Sequence, residues 1–549
     1  MTAVTIRTAI SLIFLPALLG FHRVAAQTQD PLILRAMKDE LKRNMTELLL
    51  EGYERPFFIS YTITDQREMA VNASLGAVVR SNDYPSRSKY VRVLVGDYTF
   101  NDESLDVGRG HSPSDDNIIA IPVDDDYFGI RRTLWASTDA VYRAAARNFK
   151  NNVSFLKEQK KELKDIPHRS FAQVPVTKLK VTGPENPMNL RQLEDLGREL
   201  SLIFKDYPAI GSSNVMIRCH HTQYYFLNSE GTETITTDNG ATITINADTR
   251  TDDGEVIFDQ SFYTALTTDK LPATATLARE IREMAERLVS LRQTRVFKDS
   301  YTGPVLFVGP AAVDVFSNSL SETLVASKSI SSDYADAKMG KRILDDRFTV
   351  KSTPKLKAFN NIALLGSYDV DDEGVVPPDE LVLVEKGLLR NLLNDRTITK
   401  EGQVCNGHGL GPGVITITPS HGEPIDKLKA QLIEKAREEG LDYALMVRHF
   451  SSGSIRTLNT YTVSLTDGKE ELVRSANIRS INLKALKRVL GVSNEQIVRN
   501  VDMGGRYGTS VSIIAPNALL LEEVEVEGSR NNPYPDREVY VENPVKMNP

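Results

Sequence analysis

The sequence predicts a protein of mixed α and β structure, and three observations carry that expectation. Apolar residues recur at helical spacing in several stretches, for example Leu277, Ile281, Met284, Leu288 and Leu291. Elsewhere they alternate, as in Ile59, Tyr61 and Ile63, which marks strands with one buried face. One run, Val305-Leu-Phe-Val308, is apolar without a break and is stopped by Gly309-Pro310, the pattern of a strand buried on both faces.

The chain has 549 residues, 41% of them hydrophobic, enough for two or three ordinary globular domains. Its formal charge of −7, with no dominant cluster of Lys and Arg, excludes a nucleic-acid binder of the usual kind, because phosphate contacts need concentrated positive charge. Only two cysteines are present, Cys219 and Cys405, far apart in sequence; one bridge is possible between them and nothing in the spacing indicates it.

In chain order, residues 1–26 read as a secretory leader: Arg7 supplies the positive start, Ile10 to Phe21 the apolar core and Val24-Ala-Ala26 the small-residue cleavage site. That apolar run is short for a membrane span, so the expected mature protein is exported, periplasmic or secreted, without stable membrane insertion. An N-terminal α/β domain is expected over 27–165. It opens with a helix capped by Asp30-Pro31 and running through Leu34, Met37, Leu41, Met45 and Leu48 towards Gly52. Strands follow at Ile59 to Ile63 and Val91 to Val95, then a helix around Leu134 to Leu156 whose lysine-rich end, Lys157 to Lys164, reads as solvated.

Pro167, Pro175, Pro184 and Pro187 crowd a crossing segment into a central domain, expected over 166–300, with a helix near Leu190 to Phe204 and strands within Asn214 to Ala247. Cys219-His-His221 invites a metal reading, but neighbours on a strand point to opposite faces, so Cys219 is read as a core residue. A β-rich C-terminal domain is expected over 301–528. It opens with the Val305 strand and a helix begun by Pro310, on which Val313, Phe316, Leu320 and Leu324 share a face. The helical pattern extends from Ala311 to Ser329. Later come an acidic group, Asp369, Asp371, Asp372 and Glu373, read as a hairpin-edge feature rather than a calcium site, and the turn-rich loop Val404 to Gly413. Ile425 to Glu438 is a helix, and Tyr461 to Arg474 a hairpin about Asp467-Gly468. The tail over 529–549 has little apolar content and is expected to be disordered.

The order of the blocks Gly303 to Pro310, Gly340-Lys-Arg-Ile343, Gly366 to Gly374, Leu393-Asn-Asp-Arg396 and Tyr461 to Arg474 resembles the TldD/PmbA family, whose TldD members are zinc peptidases and whose PmbA (TldE) members are metal-free partners. The resemblance implies an α+β fold, an N-terminal α/β region followed by a C-terminal region rich in antiparallel strands. In active members the helix after the Gly303 strand carries His-Glu-x-x-x-His. The matching residues here read Ser321-Glu-Thr-Leu-Val-Ala326, so both histidine positions are vacant, at Ser321 and Ala326, while Glu322 stands where the family's base would lie. The family's third ligand, a cysteine in a glycine-rich loop, has its counterpart at Met503-Gly-Gly505, which lacks one.

Two function classes follow. The first is a non-catalytic subunit that pairs with a related TldD-like chain, or with itself as a dimer, around unfolded peptides, with no cofactor. The second is a peptidase that holds zinc through other ligands, with Glu322 as base and Cys405 and His408, three residues apart, as candidate ligands lacking an evident third. The competing reading of Asn406-Gly-His408 is a loop lining a peptide groove, as the resemblance suggests. An exported peptide-binding protein acting alone is a further option.

Overall fold

The computed structural model describes residues 30–107, 120–184, 186–251, 254–331, 334–450, 457–478, 481–501 and 510–528. The leader over 1–26, the loop Met503-Gly-Gly505 and the tail over 529–549 lie outside them.

The N-terminal half is built on one antiparallel sheet of unusually long strands. Those strands are β1 (Pro56–Ser74), β2 (Ala77–Val95), β5 (Ile210–Asn228) and β6 (Glu233–Arg250), flanked by the short β4 (Lys178–Lys180) and by β7 (Val256–Ala265). The order is β2-β1-β5-β6-β4, with β7 also on β6, while the two-residue β3 (Ser170–Phe171) pairs outside this sheet with Thr397–Ile398. Residues expected to form separate N-terminal and central domains therefore share this sheet, because β1 pairs with β5 from Ser60 to Ala73. Strands of this length present too many ladder groups for one hairpin to satisfy, and the free edge of the β1–β2 hairpin is closed by the β5–β6 hairpin.

Odd-numbered residues face one side of the sheet, and two helix pairs cover that side end to end. The pair α1 (Leu32–Glu47) and α2 (Tyr127–Gln159) packs over Ile59, Tyr61, Val91 and Tyr225. Helices α3 (Leu190–Leu202) and α4 (Thr274–Leu291) cover Met69, Val71, Ile217 and Ile243, with Cys219 fully buried among them. The α1 start differs from expectation: Pro31 is the cap residue and no side chain caps the helix, since Asp30 pairs instead with Lys38 at 2.7 Å. The helix stops at Glu47, short of Gly52.

The C-terminal half holds two further sheets. In one, β8 (Ser300–Val308) lies between Tyr443–Phe450, to which it is parallel, and Ala518–Gly528, to which it is antiparallel. Val305, Leu306 and Phe307 are fully buried there, as the unbroken run requires. In the other, Phe348–Ser352 pairs antiparallel with Val414–Pro419, which pairs parallel with Val511–Pro516. Helix α5 (Pro310–Leu320) packs between these sheets through Val313, Phe316 and Leu320. Helix α6 (Ile425–Glu438) covers the outer face of the β8 sheet through Leu428 and Leu432. The Asp467-Gly468 hairpin forms as expected, with Gly468 at φ 70. Antiparallel pairings dominate, and the α+β class is the observed one.

Candidate functional site at the junction of the two halves

Helix α5 bears first on the zinc reading. Gly309 takes φ 66, a left-handed conformation that glycine adopts without a Cβ penalty, and Pro310 opens the helix. The helix ends at Leu320 and does not continue to Ser329. Ser317, Asn318 and Ser319 are weak helix formers, and the chain beyond is recruited into strand-like pairing: Leu393 donates its N–H to the Leu324 carbonyl and Ala326 donates to the Leu393 carbonyl. Ser321 is the cap residue and Ala326 lies in extended chain, so the two do not share a helical face. Glu322 is exposed on the turn between them, with no hydrogen bond or ion pair among the described residues. The helix proper contains no histidine and no glutamate; its one carboxylate, Asp314, pairs with Arg499 at 2.8 Å.

His408 and Cys405 do not converge either. The His408 ring is buried, with Nε2 2.9 Å from Ser352 Oγ and Nδ1 2.9 Å from both the Asn406 carbonyl and its Oδ1. Both ring nitrogens are thus engaged, and burial pulls the imidazole down to about 4, leaving it neutral. The Ser352–His408–Asn406 chain has the connectivity of a nucleophile, base and orienter, yet Ser352 is completely buried on a central strand, which closes it to substrate. Cys405 faces a cleft instead. Burial first, then the charges of Asp371, Glu373 and Asp395, push its thiol up to about 12 against a hydrogen bond from the Gly407 N–H that favours the thiolate. Both cysteines are free, and Cys219 lies in the α3–α4 core. Its neighbours diverge as the strand pattern requires: the His220 ring lies over Gly240, while His221 Nδ1 is 2.7 Å from Asn239 Oδ1. Among the described residues no three His, Cys, Asp or Glu side chains are grouped to hold a metal ion. The residues present do not fit the zinc that the family's active members use.

The structure does bring together a charged lock between the halves. Arg396, 0% exposed, donates to both carboxylate oxygens of Glu230 at 2.7 Å and to the Ala172 carbonyl at 2.8 and 2.9 Å. Its guanidinium lies 3.9 Å from the Phe171 ring centre, and Arg92 lies 4.8 Å from the same ring. Arg92 pairs with Glu103 at 2.6 Å and with Glu373 at 2.7 Å, so it ties β2 to the acidic group. Within that group Asp371 is a turn-builder, accepting from the N–H groups of Glu373, Val375 and Gly409. The hairpin-edge reading of the cluster therefore fits its bonding. Sequence reasoning singled out the block ending in Arg396 without a role for it and left Glu230 within the strand region Asn214 to Ala247; nothing in their spacing shows that residues so far apart would meet.

Immediately beside this lock lies a cleft of about 670 Å³. One wall is Ala172 to Pro175, held by Arg396; the other combines Val375 to Pro378 with Gln403 to Asn406. Asn406, one of the three expected groove residues, lines it, whereas Gly407 and His408 turn inward and support the loop.

Fold and cleft define a two-part α+β protein with a cavity between its parts. Residues 300–528 match the family described as PmbA/TldA metallopeptidase C-terminal domain. No curated protein matches. Three solved structures share the fold. A protein described as a candidate modulator of DNA gyrase from Thermotoga maritima is 16% identical, with a TM-score of 0.59 over 90% of this chain and 99% of that one. A second protein so described, from Bacteroides thetaiotaomicron, is 13% identical, with a TM-score of 0.58 over 91% and 98%. TldE from Thermococcus kodakarensis is 15% identical, with a TM-score of 0.54 over 90% and 100%. The similarity to that family thus rests on the C-terminal domain, and the likeness to the three structures is one of fold.

Proposed function

We propose that this chain is a non-catalytic member of its metallopeptidase-related family, pairing with a zinc-bearing relative or with a second copy and binding unfolded peptides. The observation that carries the reading is the stretch just past α5: Ser321 and Ala326 stand where active members of the resembled family place histidines, and the chain there has left the helix, so only Glu322 of the motif remains and the two positions share no helical face. Zinc in a catalytic site takes three protein ligands, commonly imidazoles, and serine or alanine cannot replace them. The similarity to TldE supports the same reading at the level of fold. The leader-like 1–26 supports placing the mature protein outside the cytoplasm.

The test is co-expression with a related chain that carries the intact motif, followed by size-exclusion chromatography and peptide hydrolysis by each chain alone and by the mixture. Co-elution, with cleavage confined to fractions containing the partner, is expected. Cleavage of peptide by this chain alone would overturn the proposal.

A further inference from the structure

The cleft beside Cys405 has a lining chemistry that narrows its ligand, and the narrowing rests on the peptide-binding reading just given. No Asp, Glu, Lys, Arg or His contributes to its walls. Val174, Pro175, Val376, Pro377, Ile398 and Val404 make the surface largely aliphatic. The polar groups in the walls are mostly spent. Gln403 donates to Asp336 and accepts from Thr399 and Lys400, and Asn406 bonds the Leu392 carbonyl and the Asn394 N–H. At the rim, Val404 is 72% and Val376 47% exposed. A volume of this size accommodates a ligand segment of several side chains.

A charged side chain entering here would lose part of its hydration and find no ion-pair partner in the walls, at a cost above that of an apolar one. We propose that this cleft selects uncharged, aliphatic stretches of extended polypeptide, of the kind that folded proteins bury and unfolded ones expose. Selection works by exclusion of charge as well as by apolar contact.

Cys405 supplies the readout. It lies in the cleft wall, and the other thiol, Cys219, is 0% exposed, so a thiol-reactive disulfide reports on the cleft alone. In the full-length protein, a short end-blocked peptide of Val, Ala, Pro and Gln should slow Cys405 labelling about tenfold once present at roughly ten times its Kd. The same peptide with Lys and Glu at alternate positions should leave the rate unchanged. Val404→Asp and Val376→Lys, at largely exposed positions that the fold tolerates, should remove protection by the aliphatic peptide, and circular dichroism confirms that each variant is folded. Equal protection by both peptides would overturn selection by charge while leaving peptide binding intact. Peptide binding by fluorescence anisotropy without protection of Cys405 would overturn the assignment to this cleft alone. Absence of both would overturn the peptide reading too. Labelling is followed at alkaline pH, because the raised thiol is slow to react near neutrality; a thiol that stays unlabelled there while the unfolded chain labels would mean that the cleft is closed to the reagent, which also contradicts the proposal.

Discussion

Arg396 shows how much of this molecule depends on single buried charges. Its guanidinium is wholly enclosed, and Glu230 has no other cation at hydrogen-bonding distance among the described residues. Arg396→Ala leaves that carboxylate only the Tyr98 hydroxyl and the Asn228 amide as donors, and a loss of roughly 3 kcal/mol is expected from the urea midpoint. Arg396→Lys should recover only part of it, because an ammonium cannot reproduce the paired donors or the stacking on Phe171. Asp102 presents the opposite case. Its Oδ1 accepts from the Val95 N–H at 2.8 Å, while its Oδ2 is buried without a partner. Burial first, and the charge of Glu103 second, push the carboxyl up to about 8, so the folded protein holds it neutral at pH 7. Since the unfolded chain ionises it near pH 3.9, its contribution to stability is lost as pH rises from there to the folded value. The slope is about 1.4 kcal/mol per pH unit and flattens above it. Asp102→Asn should remove that slope from the difference curve measured by urea unfolding at a series of pH values. An unchanged slope would show that the carboxyl is ionised in the fold.

Among the elements, α5 is the one whose length matters most. Phe316 is fully buried and packs edge-on against Phe348 at 5.3 Å, joining the helix to the second C-terminal sheet. Phe316→Ala should cost roughly 3–5 kcal/mol in thermal or urea unfolding, the usual penalty for emptying a packed aromatic site. The apolar face of this helix was legible in the sequence, since Val313, Phe316 and Leu320 recur at helical steps, but its end was not. Leu324 fits the same period and is buried, yet it sits in the turn that ends the helix, its N–H on the Leu320 carbonyl and its carbonyl taking the Leu393 N–H, and no local signal announces a partner so distant in sequence. The strands of the N-terminal sheet were legible from alternation at Ile59 to Ile63 and Val215 to Cys219. Their pairing across two expected domains was not, because alternation gives the face of a strand and not its neighbour. The same limit hid the cleft: the 172–175 wall was visible only as proline-rich chain, and the Asn406 loop only as turn residues.

For the molecule as a whole, the proposed function rests on a contrast: residues 300–528 match a metallopeptidase-related C-terminal domain, while Ser321 and Ala326 stand where the resemblance expects metal ligands. The lock of Arg92, Arg396, Glu230 and Glu373 holds the two halves beside a cleft whose walls carry no charged side chain. The most direct measurement is the zinc stoichiometry of the mature protein purified without chelator, taken with hydrolysis of an unstructured peptide by wild type and Glu322→Ala. No stoichiometric zinc and no cleavage by either protein is the expected result. About one zinc per chain, with cleavage that Glu322→Ala abolishes, would contradict the account and make this chain a peptidase with ligands drawn from elsewhere in the sequence.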